Sequence, residues 1–173
     1  QESAAGSGMI VDLLIPGKPF GKERPRARAM GKFVQIYTPP KTKAWEANAI
    51  AAILQQGPHP KFDPERPLSL TVLAVHDRPK SMLCSHKRQP CSCDPTLLDD
   101  SRLPYLKKPD WDNVGKIVCD SLQAAGIIHD DCLVTKGTVT QVYRALGEEP
   151  HTREGLSMLT DLHTPFGPTN LTK

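Results

Sequence analysis

The sequence predicts a small α/β protein with one domain, an α+β arrangement in which helices pack on a single mixed sheet. Short runs of branched apolar residues, bounded by glycine and proline, predict strands. Two longer stretches repeat apolar residues at helical spacing. Along the chain these elements follow the order β-α-β-α-β-β, which is typical of one sheet layer covered by helices. The 173 residues are enough to bury an ordinary core.

The first half of the chain predicts a strand, a basic arm and a helix. Met9–Ile15 is branched and apolar, and a Pro-Gly pair ends it. Residues 17–40 are rich in glycine, proline and basic side chains, which favours an extended arm or loop with a short strand at Phe33–Tyr37. A helix is expected at Thr42–Gln56, ended by a Gly-Pro pair. Its apolar stripe consists of Trp45, Ala49, Ala52 and Ile53.

The second half begins with a strand and a long irregular stretch before the clearest helix. Leu68–Val75 alternates well enough for a strand. Residues 77–107 are polar, interrupted by proline and without periodicity, which indicates a long loop or insertion. Asp112–Ala125 predicts a helix that has Asp110 or Asp112 near its N-cap and Gly126 just past its end. The apolar stripe of this helix is Val114, Ile117, Val118, Leu122 and Ala125.

Two further strands are expected near the C-terminus. Leu133–Tyr143 is rich in β-branched residues, and Gly137 predicts a bulge or bend within it. Gly155–Leu162 predicts a last strand. The domain is therefore expected to span residues 9–163, after a flexible lead or cloning remnant at residues 1–8 and before a loose tail at residues 164–173.

Charge and composition limit the classes of function. The formal net charge is +3 and the pI is near 8.6, which permits nucleic-acid binding without arguing for it. Residues 18–43 concentrate eight Lys or Arg side chains against Glu23 alone, whereas aromatic residues make up only 5%, too few for extensive base stacking. No secretory signal or membrane-spanning run is visible, and five cysteines suit a reducing compartment. We expect a cytoplasmic protein.

The most informative stretch is residues 108–131, which hold five aspartates. Asp112, Lys116 and Asp120 are four residues apart and share one face of a helix. Hard divalent cations take oxygen ligands, and a lysine offsets charge on a phosphoryl oxygen, so the pattern indicates a Mg²⁺ site for phosphate chemistry. Asp131 follows the far end of a helix about 20 Å long. It must either return across that distance or act in a second subunit.

The same residues resemble the signature of the RusA family of Holliday-junction resolvases. The chain reads Lys-Pro-Asp-Trp-Asp-Asn at residues 108–113, then Lys116, an Asp-Ser-Leu at residues 120–122 and an Asp-Asp pair at residues 130–131. Upstream, residues 17–26 and a Tyr-Thr-Pro at residues 37–39 are similar to the arm of phage-type members. Trp111 stands where a small aliphatic residue is more usual, so it either packs under the site or contacts DNA.

This resemblance implies a RusA-like fold and a structure-selective, Mg²⁺-dependent homodimer in which Mn²⁺ can substitute. It would resolve four-way or branched DNA by paired symmetric phosphodiester hydrolysis, in recombination, repair or phage DNA processing, inside a bacterial or phage-infected cell. The implied residues fall into three groups. The catalytic residues would be Asp110, Asp112, Lys116 and Asp131; the metal ligands Asp110, Asp112, Asp130 and Asp131; and the DNA-binding residues Lys22, Arg24, Arg26, Arg28 and Lys108.

Rival interpretations remain open at the level of sequence. A branched-DNA-binding protein without catalysis is one, although every acidic position of the signature is present. A D-x-D glycosyltransferase using Asp110 and Asp112 is another, but residues 1–109 are short for a nucleotide-binding half. A third question concerns the long loop, which either binds a structural zinc ion or is reduced and mobile. Its candidate ligands are Cys84, His86, Cys91 and Cys93.

Overall fold

The computed structural model describes residues 10–83 and 101–159, which form a mixed five-stranded sheet, a separate two-stranded hairpin and two helices. The five strands of the large sheet are β1 at Ile10–Pro16, β4 at Leu68–His76, β5 at Leu103–Pro104, β6 at Val134–Tyr143 and β7 at His151–Met158. Their order is β1-β7-β4-β6-β5, with β4 and β6 parallel and the other neighbours antiparallel. This architecture confirms the predicted α/β class with an α+β mixed sheet.

The basic arm contains a hairpin made of β2 at Arg26–Met30 and β3 at Phe33–Tyr37. Gly31, with φ of +63°, supplies the turn conformation that other residues rarely adopt. The strand predicted at Phe33–Tyr37 is confirmed, but its partner β2 was missed. Arg-Ala-Arg-Ala-Met does alternate charged and apolar residues, but alanine is a weak strand former and every residue of β2 is exposed, so no buried face marks the strand in the sequence.

Two helices cover one face of the large sheet. Helix α1 spans Pro40–Gln55 and helix α2 spans Trp111–Ala124, each within two residues of its predicted bounds. Gly126 adopts a φ of +73° just past α2, as expected for a helix-ending glycine. The apolar stripe of α2 is buried at Val114, Ile117, Val118 and Leu122.

The core lies between these helices and the sheet. Strand β1 shows the pattern clearly, because Val11, Leu13 and Ile15 are buried while Asp12 and Leu14 are exposed. Strand β4, in the centre of the sheet, contributes further fully buried side chains such as Leu68 and Val72. The buried stripe of α2 therefore fixes this helix, and with it the residues at its start, against the sheet.

Two strand predictions need correction. Strand β7 begins at His151 rather than Gly155, because its polar first half pairs with both β1 and β4. The irregularity in β6 lies at Thr135 rather than Gly137: Leu68 pairs with Val134, the next residue of β4 pairs with Lys136, and the ladder then runs evenly through Gly137.

Arg78 ties together the two described ends of the predicted long loop. This buried side chain donates from Nε to the Arg144 carbonyl at 2.7 Å and from Nη2 to the Ser101 carbonyl. The described parts of residues 77–107 also contain a 3₁₀ turn at Lys80–Met82 and the short strand β5. The candidate zinc ligands Cys84, His86, Cys91 and Cys93, the predicted lead and the predicted tail lie outside the described residues.

In the described part of the chain, no helix combines the length and the apolar character that crossing a membrane requires.

Candidate active site

The N-terminus of α2 places Asp110 and Asp112 on one surface cavity of about 590 Å³. Asp110 occupies the N-cap position with extended backbone (φ −69°, ψ 150°), and the helix starts at the next residue. The side chain of Asp110 makes no capping hydrogen bond. Both carboxylates are exposed, and among the described residues neither has an ion-pair partner. Both are therefore available to a ligand in the cavity.

The opposite wall of the cavity is the arm before the hairpin, residues 19–24. The backbone N–H of Lys22 donates to the Asn113 carbonyl at 2.9 Å, which fastens the arm to the first turn of α2. Gly21 is buried beside this bond, and a Cβ added there would overlap Pro109 and lie 3.3 Å from Asn113 Cβ. Only glycine allows the two backbones to approach so closely.

The turn that leads into Asp110 is held by two side chains from other parts of the fold. Tyr105 donates its hydroxyl to the Lys108 carbonyl at 2.6 Å, and Gln141 of β6 donates Nε2 to the Pro109 carbonyl at 3.0 Å. Gln141 in turn lies 3.0 Å from His76 Nε2, and the His76 ring stacks on Tyr105 with centroids 3.7 Å apart. Burial is the main reason that the pKa of His76 lies below its ordinary value.

Asp131 contacts α2 within the same chain, even though it follows the far end of that helix. Lys116 Nζ lies 3.9 Å from Asp131 Oδ2, and Lys116 is one helical turn beyond Asp112. The five residues that follow Gly126 can span up to ~17 Å when extended. That reach exceeds the ~15 Å of helix between Lys116 and Gly126.

The neighbouring acidic residues have distinct structural contacts. Asp120 forms a half-buried ion pair with Lys22, which is a second contact between α2 and the arm. Asp130 Oδ1 accepts the Cys132 N–H at 3.0 Å and caps the 3₁₀ turn at Asp131–Leu133. This hydrogen bonding holds the pKa of the Asp130 carboxyl below its usual range. The contacts of Asp130 and Asp120 therefore support the loop and the arm that flank the site.

The predicted DNA-binding residues divide into two sets. Lys22, Arg24 and Lys108 line the cavity. Arg26 and Arg28 lie farther out, two residues apart on β2, and therefore on the same face of the hairpin. The charge of Lys22 is partly balanced by Asp120, whereas Arg24, Arg28 and Lys108 are exposed cations without an ion pair among the described residues.

Trp111 separates the two cavity carboxylates, and its side chain is 64% exposed. The interpretation in which it packs under the site is therefore wrong. Residues 10–83 and 101–159 contain no cluster of three His, Cys, Asp or Glu side chains arranged to hold a metal ion. Asp110 and Asp112 share the cavity, while Asp131 stands beside Lys116.

Sequence reasoning missed several residues that shape this region. Gly21, Tyr105 and Gln141 act through tertiary contacts that no local spacing encodes. It also missed Glu154 on β7, which is fully buried with neither carboxyl oxygen hydrogen-bonded. Burial raises the pKa of Glu154 to about 8, and burial is also the main reason that the pKa of the Cys119 thiol in α2 is raised to about 11.

Residues 16–152 match the family model of endodeoxyribonuclease RusA. The matched segment includes the arm, the cavity carboxylates, Lys116, Asp131 and the strand β6 that follows them. A comparison with curated proteins gives no match.

Proposed function

The chain belongs to the RusA endodeoxyribonuclease family, and on this premise we propose that it is a metal-dependent nuclease that resolves four-way or branched DNA junctions. One observation carries the proposal beyond family membership. Asp110 and Asp112, both without ion-pair partners among the described residues, face a cavity that also presents Lys22, Arg24 and Lys108. Carboxylates next to cations form a site that can take a divalent ion and a DNA phosphate together.

The donor set of the cavity fits Mg²⁺. This ion is usually held by one or two carboxylates and keeps its other positions for water and substrate phosphate. Asp110 and Asp112 would supply the two carboxylates, and Mn²⁺ would substitute. Asp131 does not line this cavity; its carboxylate lies beside Lys116, 3.9 Å from Nζ. When bound, the ion would polarise the scissile phosphate and lower the pKa of a water molecule.

The protein's own side chains account for the other parts of the mechanism. Lys116 offsets the charge that builds up on the phosphoryl oxygens, and Asp131, 3.9 Å from its Nζ, holds the ammonium group on this side of α2. Arg24 and Lys108 bind the flanking phosphates and keep the strand in register. Asp130 caps the turn that orients Asp131.

The hairpin extends the basic surface away from the cavity. Arg26 and Arg28 lie on one face with Tyr37 and Gln35 opposite them on β3. We assign this face to the phosphate backbone of one arm of the junction. A four-way junction has two strands to cut, related by approximate two-fold symmetry, so we also propose that two copies of the chain form a homodimer.

The decisive experiment compares a synthetic four-way junction with linear duplexes of the same arm sequences, in Mg²⁺ or in EDTA. Wild type should place paired nicks in the junction and leave the duplexes intact, and EDTA should stop the reaction. Asp112→Asn should lower cleavage at least ~100-fold because it removes charge from the ion site. Asp63→Asn, at an exposed position that does not line the cavity, is the matched control and should cut as wild type does.

Two results would overturn the proposal. Cleavage that continues in EDTA and in Asp112→Asn would exclude the cavity as the metal site. Tight junction binding by wild type with no cutting in Mg²⁺ or Mn²⁺ would instead identify a branched-DNA-binding protein without catalysis.

A further inference from the structure

Trp111 is the first residue of α2 and lies between the two cavity carboxylates, yet its own chain leaves it 64% exposed. The other tryptophan of the chain behaves differently. Trp45 is half-buried against the core, and its Nε1 donates to the Lys18 carbonyl at 3.0 Å. The described residues offer the Trp111 indole no hydrogen-bond partner and no place in the core cluster. Packing within the fold therefore does not explain why a tryptophan stands at residue 111, and its position must do so.

The position of Trp111 within α2 shows how this exposure arises. Trp111 is three residues before Val114 and seven before Val118, so it continues the apolar stripe of the helix. Val114 and Val118 are fully buried, whereas Trp111 begins the helix beyond the covered part of the stripe. The indole therefore presents an uncovered apolar surface next to Asp110 and Asp112 in the chain, although it is not one of the residues that line the cavity.

The surroundings of Trp111 select a nucleobase over a protein surface as its partner. Asp110 and Asp112 flank it, and Lys107 and Lys108 precede them as exposed cations. The centres of protein–protein interfaces are depleted of charged residues, so this setting is poor for docking a second protein. A nucleotide suits it, because the base is a flat apolar surface joined to the charged phosphate that the neighbouring groups hold.

We propose that Trp111 stacks on the base of the nucleotide adjoining the scissile phosphate, and that this contact selects branched DNA over linear duplex. The inference rests on the proposed function of the cavity. Bases inside a duplex are stacked on both faces and must be unstacked before an indole can reach them. Bases at the exchange point of a junction are already partly unstacked, so the contact forms there at lower cost.

Tryptophan fluorescence provides a direct reading of the contact. In a Trp45→Phe background, Trp111 is the single tryptophan of the chain. With EDTA present to prevent cutting, addition of a four-way junction should quench this fluorescence, and matched linear duplex should quench it much less. 2-Aminopurine placed at the exchange point should show the reciprocal change in its own emission. Unaltered emission of both probes at saturating junction would overturn the base contact.

Binding by substituted chains gives the second reading. Trp111→Ala should bind the junction about 5- to 150-fold more weakly and bind linear duplex within about twofold of wild type, because base–aromatic stacking accounts for the difference. Trp111→Phe should recover most of the junction affinity. Leu54→Ala, an exposed apolar position on α1, is the control and should match wild type on both DNAs. Equal losses on both DNAs, or none, would reject the selectivity role.

The outcomes separate this inference from the proposed function. A wild type that cuts junctions while Trp111→Ala discriminates as well as wild type keeps the nuclease and rejects the base contact. A wild type that is quenched by junctions and never cuts them keeps the base contact and rejects the nuclease. Conversion of Trp111→Ala from dimer to monomer in sedimentation would assign the indole to a subunit interface and overturn the proposal.

Discussion

The five-stranded sheet and the β2–β3 hairpin are both built from paired strands, but their side chains have different surroundings. The sheet buries one face beneath two helices, whereas all residues of the hairpin strands except Tyr37 are exposed, with Phe33 at 80%. A two-stranded hairpin alone is at best marginally stable in water. Side chains of the sheet should therefore determine folding, and side chains of the hairpin should determine binding.

The largest expected effect on stability lies within the sheet, at Glu154. Its pKa is about 8 in the folded chain against about 4.5 when exposed, so the folded state holds a proton that the unfolded state releases. Stability is then fully present below pH 4.5 and falls as the pH rises to 8, by about 4 kcal/mol in total. Urea unfolding from pH 4.5 to 8 should show this decline in wild type.

Glu154→Gln is the matched control for that decline, because the amide keeps the shape and the buried polar character of a neutral carboxyl group. The variant should lose the part of the pH dependence that belongs to this residue and should exceed wild type in stability at pH 8. Parallel stability–pH curves for the two proteins would mean that Glu154 is hydrated or paired in solution.

The core should respond almost as strongly to loss of volume. Leu122→Ala, at a fully buried position in α2, should lower the free energy of unfolding by about 3 kcal/mol because it removes burial and leaves a cavity. Leu54→Ala, at a position 57% exposed on α1, should change it by less than about 0.5 kcal/mol. Denaturation midpoints in urea measure both, and similar losses would contradict the burial assigned to α2.

The contact between the basic arm and the first turn of α2 should show an intermediate effect. Gly21→Ala places a methyl group against Pro109, so the arm or the first turn of α2 must shift. We expect a loss of stability of about 2 kcal/mol, typical of overpacking, together with a large loss of junction cleavage. Gly137→Ala, where a Cβ meets open space on β6, is the control. Full cleavage by Gly21→Ala would show that the arm does not position the site.

The hairpin should give the smallest change in stability and a clear change in binding. Replacing Arg26 and Arg28 together by alanine should alter the free energy of unfolding by less than about 0.5 kcal/mol. The slope of log affinity against log salt should fall by about 2, since each lost phosphate contact contributes about 0.9. An unchanged slope, measured by fluorescence anisotropy from 50 to 200 mM salt, would remove the hairpin from the DNA-binding surface.

The features that the sequence could predict are those whose signals lie within a few neighbouring residues. The α2 stripe and Gly126 report helix period and helix end directly, and both are confirmed. The return of Asp131 to Lys116 depends on the path between α2 and β6, which no spacing within the helix contains. Gly21 matters only because Pro109 approaches it in space.

Some signals in the sequence point away from the structure. The first half of β7 reads as polar, and Glu154 within it violates the pattern of a buried strand face. Pairing with two neighbouring strands overrides that local preference. In β2 the pattern fails for the opposite reason, since an exposed hairpin needs no buried face.

Arg78 donates hydrogen bonds to the carbonyls of Arg144 and Ser101, and these bonds affect how the fold can vary. It closes the stretch between residues 83 and 101 at its base, beside the sheet. The entropy of closing such a stretch rises by only about 0.6 kcal/mol for each doubling of its length. A segment inserted at this point of the fold could therefore change in length at little entropic cost, while the contacts that hold Asp110 and Asp112 stay the same.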